Sequence, residues 1–373
     1  MRKKKVCIIH KVNTLDPRSF YKQGRSALNA GYDTSVMGFF HKDETVQGIR
    51  LIKFKCPSGR LTRFLLTNCQ VFIKALKEKA DVYHFHDLDF IPWAVLLKIM
   101  TRKKIVYDIH EANPEYMLLK AYIPGIFRKI LSFLVYLTEH TTAGFFDAIV
   151  PNDNYVAKDF RHRKNEVIFN FPTLDFFKNE NSIPWHEKKF DLFYHGSLPA
   201  YHFEMMMRIA EKLNAENVKN VWGIAMSEGS PAEWAGREVK KRRLENNFTF
   251  LPFIDYLGIC DYLSNAKIGI IPLPPYKKFM KNIPLKLFEF MGFGMPVVLS
   301  DLPPSRQFIK GEHCAIAVEP GNADEYVRAI KTLLDGPAAA AEMGKKGRRL
   351  VFEKFNWGIE EKKMLGLYAE LLK

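Results

Sequence analysis

No two of the five cysteines, Cys7, Cys56, Cys69, Cys260 and Cys314, form a CxxC pair, and their number is odd. That argues against a disulfide framework and a cysteine-built zinc site, and it fits a reducing cytoplasm. No apolar stretch approaches the roughly 18 uninterrupted residues that a spanning helix needs, so an integral membrane protein is not expected. The opening MRKKK is followed by VCIIH, a run too short for a secretory leader and of strand length instead. No internal repeat, low-complexity tract or glycine-rich phosphate loop stands out. Acidic residues are outnumbered: 41 Asp and Glu face 56 Lys and Arg, a formal net charge of +15. Such a charge suits nucleic acid, an anionic lipid surface or phosphorylated small molecules. The basic residues are spread along the whole chain and are not interleaved with stacking aromatics in one module, so no nucleic-acid partner is expected.

What is present points to a folded chain of two domains. Its 373 residues exceed one ordinary core, and 47% apolar with 13% aromatic content excludes disorder. Apolar runs of strand length alternate with helical stretches almost throughout. In the first half the strand candidates are Val6–His10, Thr34–Phe39, Asp81–His86, Lys104–His110 and Ala148–Asn152. In the second half they are Phe190–Gly196, Val221–Met226, Phe248–Phe253, Ile268–Leu273, Pro296–Ser300 and Ala315–Val318. Helical stretches lie between, such as Phe64–Lys79, Ile126–His140, Phe203–Leu213, Ala232–Leu244, Pro284–Gly292 and Asp324–Leu334. Uninterrupted apolar strands are those of parallel sheets covered on both faces, so two doubly wound α/β domains are expected. The segment Phe171–Lys188, with its two prolines, mixed charge and no period, reads as the linker.

The most informative segment is NIPLKLFEFMGFGMPVVLSD, Asn282–Asp301. It reads as a helix, a glycine break and a buried strand, preceded by the cationic loop of Lys277, Lys278 and Lys281. Pro284 suits a first helical turn. Lys286 and Glu289 are three apart and share one helix face. A lysine near a helix N-terminus attracts phosphate. A carboxylate one turn on offers only acceptors and can take both hydroxyls of a ribose. Phosphate plus ribose means a nucleotide.

Here the chain resembles the family 4, group 1 glycosyltransferases of the GT-B fold. The pattern P-x-K-x-F-E-x-M-x-x-G-x-P-V-V-x-S-D is matched from Pro284 to Asp301, with further matches in GSL at Gly196–Leu198, DYLSNAKIGIIPL at Asp261–Leu273 and KFNW at Lys354–Trp357. The resemblance implies two Rossmann-like domains facing a central cleft, residues 1–172 and 186–356, with helix 357–373 crossing back to the first. It implies retaining transfer of a sugar from a nucleotide-diphosphate donor, UDP- or GDP-linked, with no further cofactor and no protein-bound metal. On the donor side it points to Lys286, Glu289, Lys281, Gly196, Ser197, Leu285 and Arg18. Lys281 stands where many members carry the first of two Glu residues. Ser197 and His202 stand roughly where an Arg and a Lys are usual.

The acceptor side is expected in the first half. Asp16 and Arg18, in LDPR, match a DxR pattern; Arg18 and Lys11 are the expected anion contacts, and Asp16 goes with the acceptor side. In HFHD and YDIHE, His84, His86 and Asp87 meet His110 and Glu111 near one sheet edge. Either a metal site or polar contacts at the reaction centre would use such a set, and the resemblance favours His110 and Glu111 as catalytic with His86 and Asp87 beside the acceptor. The segment Lys120–His140, apolar on one side with Arg128 and Lys129 on the other, would serve as a core helix or lie on a lipid surface. The expected partners are a nucleotide sugar, a glycan or lipid-linked acceptor and an anionic membrane surface, with the protein cytoplasmic or peripheral at the inner face. A sugar-nucleotide epimerase on the same fold and a non-catalytic sugar-nucleotide-binding protein remain the alternatives.

Overall fold

Runs such as VCII and KIVYDI carry apolar residues on both faces, and such strands need cover above and below. In the computed structural model, which describes residues 2–12, 14–55, 63–178, 182–226, 232–254 and 256–373, they supply the middle of one of two sheets. Cys56 and residues 179–181 of the expected linker lie outside the described residues.

The first sheet holds β1 (Lys5–Ile9), β2 (Asp33–Gly38), β3 (Glu44–Val46), β4 (Ile49–Lys53), β5 (Val82–Phe85), β6 (Lys104–Ile109) and β7 (Ala148–Pro151), in the order β3-β4-β2-β1-β5-β6-β7. All neighbours are parallel except β3 with β4. The second holds β8 (Phe190–Gly196), β9 (Trp222–Met226), β10 (Phe248–Leu251), β11 (Ala266–Ile271), β12 (Val297–Ser300) and β13 (Ala315–Val318), ordered β10-β9-β8-β11-β12-β13 and wholly parallel. Each sheet reverses its winding once, between β1 and β5 and between β8 and β11. Ligands of doubly wound sheets sit beyond the carboxyl ends of the strands at such a point. His10, His84, His86, Asp108 and His110 come to that edge in the first sheet, and Gly196 in the second.

The chain divides into two compact units, Met1–Asn170 with Trp357–Lys373, and Phe171–Asn356. The last helix, Trp357–Leu371, belongs to the first unit: Trp357 Nε1 donates to Ser26 Oγ at 2.9 Å, and Glu360 accepts from the Phe169 amide at 2.9 Å.

Two elements differ from the sequence reading. The hairpin β3–β4 was not expected. Its turn is Gln47-Gly48, both at positive φ (50° and 83°), the two-residue geometry that suits strand twist. The segment expected as linker is, in its first part, packed core. Phe171, Phe176 and Phe177 are buried, Phe171 lies 4.6 Å from the Phe288 ring, and Phe176 accepts from Cys260 Sγ through its carbonyl. Aromatics without a period carry burial that a periodicity reading does not see.

Glycines let the second unit close on the helix Lys286–Gly292. Gly294, at φ +65°, ends that helix, and the Met295 amide bonds back to Phe290. The helix Pro337–Glu353 packs across it so closely that a Cβ on Gly344 would lie 1.8 Å from the Gly294 carbonyl oxygen. Gly344→Ala is therefore expected to destabilise the protein by ~3 kcal/mol in urea unfolding. Gly236→Ala, helical and with nothing near its Cβ, should shift stability by about 0.5–1 kcal/mol in the opposite direction.

Candidate functional site

The strand β8 reads FDLFYHG. Its buried run carries Tyr194 into the core and ends on Gly196, whose φ of +105° only glycine adopts without strain. A Cβ there would lie 3.4 Å from Lys286 Nζ, in ordinary contact with the flexible tip of that side chain, so it is the backbone conformation that calls for glycine. Lys286 opens the helix Lys286–Gly292, two residues later than the expected start at Pro284, with Leu285 in the capping position. Its ammonium sits over the Tyr194 ring, 3.8 Å from the centroid, a cation–π contact. The Tyr194 hydroxyl donates to the Ser197 carbonyl and lies 3.0 Å from His202 Nδ1, which holds the ring in place.

Charge is dear in this setting. Burial pushes the Lys286 pKa down to about 7, opposed by the Glu289 carboxylate. Glu289 is buried, and His195 Nε2 lies 3.2 Å from its Oε2. Burial and the Lys286 charge push His195 down to about 3, so its ring is neutral. The same causes, with Lys278, hold His202 well below the usual range. Among the described residues no carboxylate closes an ion pair with Lys286. A half-charged amine, a buried carboxylate and two neutral imidazoles therefore surround the end of β8. An incoming anion meets a cation that gains by its arrival.

The structure thus brings together Gly196, Ser197, Leu285, Lys286 and Glu289 from the expected donor set. Ser197 contributes its carbonyl to Tyr194 and leaves its side chain exposed. Lys281 is half-buried in the loop before Asn282, its amide bonded to the Lys278 carbonyl. His195 and Tyr194 were missed. The signal for His195 was a polar residue at the end of a mostly apolar strand.

The first unit holds a second polar cluster. Asp108, at the end of β6, is fully buried, and its Oδ2 accepts from Arg18 Nε at 3.0 Å and Gln23 Nε2 at 2.6 Å. His84 Nε2 lies 3.0 Å from the same oxygen, and His84 Nδ1 lies 2.6 Å from the Tyr368 hydroxyl of the last helix. His110 Nε2 is 3.3 Å from Asp108 Oδ1 and pairs with His86 Nδ1. His10 stacks on His86 at 4.6 Å and lies 3.1 Å from Ser19 Oγ. Burial opposes ionisation of Asp108, but the Arg18 guanidinium above all holds its pKa well below the carboxylate range. Burial keeps His84 and His86 neutral. At His10 burial is outweighed by Asp16, and the pKa rises.

Two expectations are corrected here. Arg18 is not presented as an anion contact: it is 1% exposed, bonded to Asp108 and to the Ile168 carbonyl at 3.1 Å. Lys11 is likewise committed, to Asp89 and to Asn68 Oδ1 at 2.9 Å. Asp16 caps the helical turn Pro17–Gly24 through the amides of Arg18 and Ser19. Asp87 accepts from the Lys11 amide at 2.8 Å and ties two loops together. His110 is the cluster member most open to solvent, at 28%, and Glu111 follows it, partly exposed. Ligand atoms of His84, His86 and Asp108 lie within 4.8 Å of one another, close enough to hold a metal ion. Both His84 nitrogens are already on Tyr368 and Asp108, and Arg18 neutralises the carboxylate, so the set serves its own network.

Comparison with known proteins gives a consistent result for both halves. A model described as glycosyl transferases group 1 matches residues 175–350, and one described as glycosyltransferase family 4 matches residues 18–174. A glycogen synthase of Mycobacterium tuberculosis is 22% identical over 130 residues, which is 35% of this chain and only 30% of that protein. A sucrose-phosphate synthase from Thermosynechococcus elongatus superposes with a TM-score of 0.79 at 17% identity, covering 99% of each chain. The HepE protein of Anabaena, solved with UDP and glucose, gives 0.74 at 14% identity, covering 98% of this chain and 100% of that one. Likeness at such identities speaks for the fold.

The Asp108 network yields a stability prediction. Asp108→Ala leaves the Arg18 guanidinium buried without its partner and is expected to cost ~3–5 kcal/mol in chemical denaturation. Replacing exposed Asp175, whose partner Lys178 is equally exposed, should change stability by less than about 1 kcal/mol.

Proposed function

The chain belongs to the group 1, family 4 glycosyltransferases, and on that footing we propose that it moves a sugar from a UDP- or GDP-linked donor to a glycan or lipid-linked acceptor, with retention at the anomeric carbon. The observation that carries the donor half of this reading is the buried pair of Lys286 and Glu289 beside the bare strand end at Gly196. A diphosphate placed there restores the charge that burial takes from Lys286. Its ammonium then stabilises the negative charge that develops as the sugar leaves. Glu289 offers acceptors to the ribose hydroxyls, and neutral His195 beside it adds a ring N–H or lone pair according to its tautomer. Gly196 lets the phosphates approach the backbone. Structures of HepE with UDP and with UDP-glucose, on the same fold, support this choice of donor class.

In the first unit His110 is assigned to the reacting sugar and acceptor, with Glu111 next to it. The buried Asp108 fixes its ring from below, and His86 from the side. No side chain is given the role of nucleophile. Attack occurs on the face that the diphosphate leaves, with the leaving phosphate taking the acceptor proton. The acceptor belongs to surface polysaccharide assembly, and the reaction takes place on the cytoplasmic side.

A thermal-shift panel of nucleotide sugars tests the reading directly, since a ligand raises apparent stability by mass action. One UDP- or GDP-sugar should raise Tm, and no shift across the panel would sink it. Glu289→Ala should weaken nucleotide affinity at least about tenfold while the fold persists, as for a lost pair of charge-assisted hydrogen bonds. Unchanged affinity refutes the ribose role.

The Lys286 amine sets a pH dependence. Free, it titrates at about 7; bound to diphosphate, it stays charged. Binding above that pH takes up a proton, so affinity should fall by about tenfold for each further pH unit. Stability of the empty protein should move the other way. A lysine whose folded pKa is depressed costs stability in full below about 7, and the cost fades as pH rises toward its unfolded value. Lys286→Met should remove both trends, which titration calorimetry and urea unfolding across pH would record.

A further inference from the structure

The helix Gly125–Thr142 is built inside out. A surface helix ordinarily turns its apolar stripe to the core. Here only Val135 and Glu139 are buried. Ile126, Phe127, Ile130, Phe133, Leu134 and Leu137 fall at helical spacing on one face, and that face is exposed; Phe127 is 59% and Phe133 62% accessible. The helix is fastened by a polar pin instead. Glu139 accepts from the Tyr107 hydroxyl at 2.7 Å and Asn113 Nδ2 at 2.8 Å. The helix Ile91–Thr101 packs beside it and adds exposed Ile99 and Met100. Contiguous exposed apolar surface of this extent marks a binding face.

The charges around the face decide its occupant. Glu139 is the only acid of the helix and it points inward, so what the helix shows to solvent is Arg128 and Lys129. Arg128 is held by the carbonyls of Ile123 and Ala121 at the helix start, which fixes its cation at the edge of the apolar face. Arg102 ends the neighbouring helix with a further exposed cation. A second copy of the chain packed face to face would bring these cations near one another. An anionic bilayer satisfies both parts at once, acyl chains against the aromatics and headgroups against the cations. No helix among the described residues is long and apolar enough to cross a membrane, so this one lies in the interface. We infer that the helix Gly125–Thr142, with the end of Ile91–Thr101, is a docking face for an anionic lipid surface.

This face and the donor residues belong to different units of the chain, so it is tested apart from them. The full chain is floated with vesicles of phosphatidylcholine alone and with added phosphatidylglycerol. It should float with the anionic vesicles at low salt and be partly released by added salt. Phe127→Ser and Phe133→Ser should each lower partitioning by about tenfold, with nucleotide affinity and Tm unchanged because both side chains are exposed. Arg128→Gln with Lys129→Gln should remove the preference for anionic vesicles and leave the weak apolar part. The inference is overturned if the chain does not float with anionic vesicles, or if the phenylalanine variants float as the parent does. It is also overturned if the parent is a lipid-free dimer in light scattering that Phe133→Ser splits, since the occupant is then a second copy.

Discussion

The first unit is organised around a single buried carboxylate. Asp108 lies at the end of a strand with no water to solvate it, and an isolated ion there would cost several kcal/mol. Its partners are drawn from far along the chain: Arg18 and Gln23 from the turn after β1, and His84 from β5. His84 passes the connection to Tyr368 in the last helix. A sheet edge, an N-terminal turn and the C-terminal segment are thereby fixed to one oxygen. The arrangement also determines which groups are left for chemistry. Arg18 is consumed as a counter-charge, and burial neutralises His84 and His86. His110 remains, touching the carboxylate on one side and solvent on the other.

The second unit treats its buried charge in the opposite way. Lys286 is given an aromatic face and a neighbouring carboxylate that favours its charge without fully compensating its burial. The empty protein therefore bears a cost that an arriving anion removes. Natural sites tolerate such local destabilisation because what weakens the free state strengthens the complex. The surrounding side chains follow from it. Burial and the Lys286 charge hold His195 and His202 neutral, and Gly196 takes a backbone conformation that suits glycine. The helical spacing of this segment, Lys286 then Glu289, is only its visible part.

How much of this was legible depended on distance along the chain. Strands made of unbroken apolar runs were readable, and Ala315–Val318 was placed to the residue. The hairpin β3–β4 was not, because ETV and IRLIK are short and half-exposed at a sheet edge. The first part of the expected linker was misread because its phenylalanines follow no period. At the sites, Lys286 and Glu289 were visible because both sit on one short helix. Arg18 was assigned to an incoming anion because nothing in LDPR says that its counter-charge lies at Asp108. Asp108 itself was passed over in YDIHE in favour of His110 and Glu111, which follow it. Local sequence shows which groups have chemistry; only the fold shows which of them are already spent.

The same distinction bears on the helix Gly125–Thr142. Its period announced an amphipathic helix, but period alone does not say which face turns inward. That was settled by Glu139, whose carboxyl is pushed up to about 7 by burial against the hydrogen bonds from Asn113 and Tyr107. A polar anchor is a poor way to hold a helix if burial of apolar area were the aim, since a leucine face would release more free energy with no desolvation cost. Fastening the helix through its one acid keeps the apolar face unspent and keeps negative charge off the surface. Asp108 gathers partners inward, Lys286 is left wanting an anion, and Glu139 turns its helix outward. In all three, the placing of one buried ionisable side chain decides what the surrounding residues are free to bind.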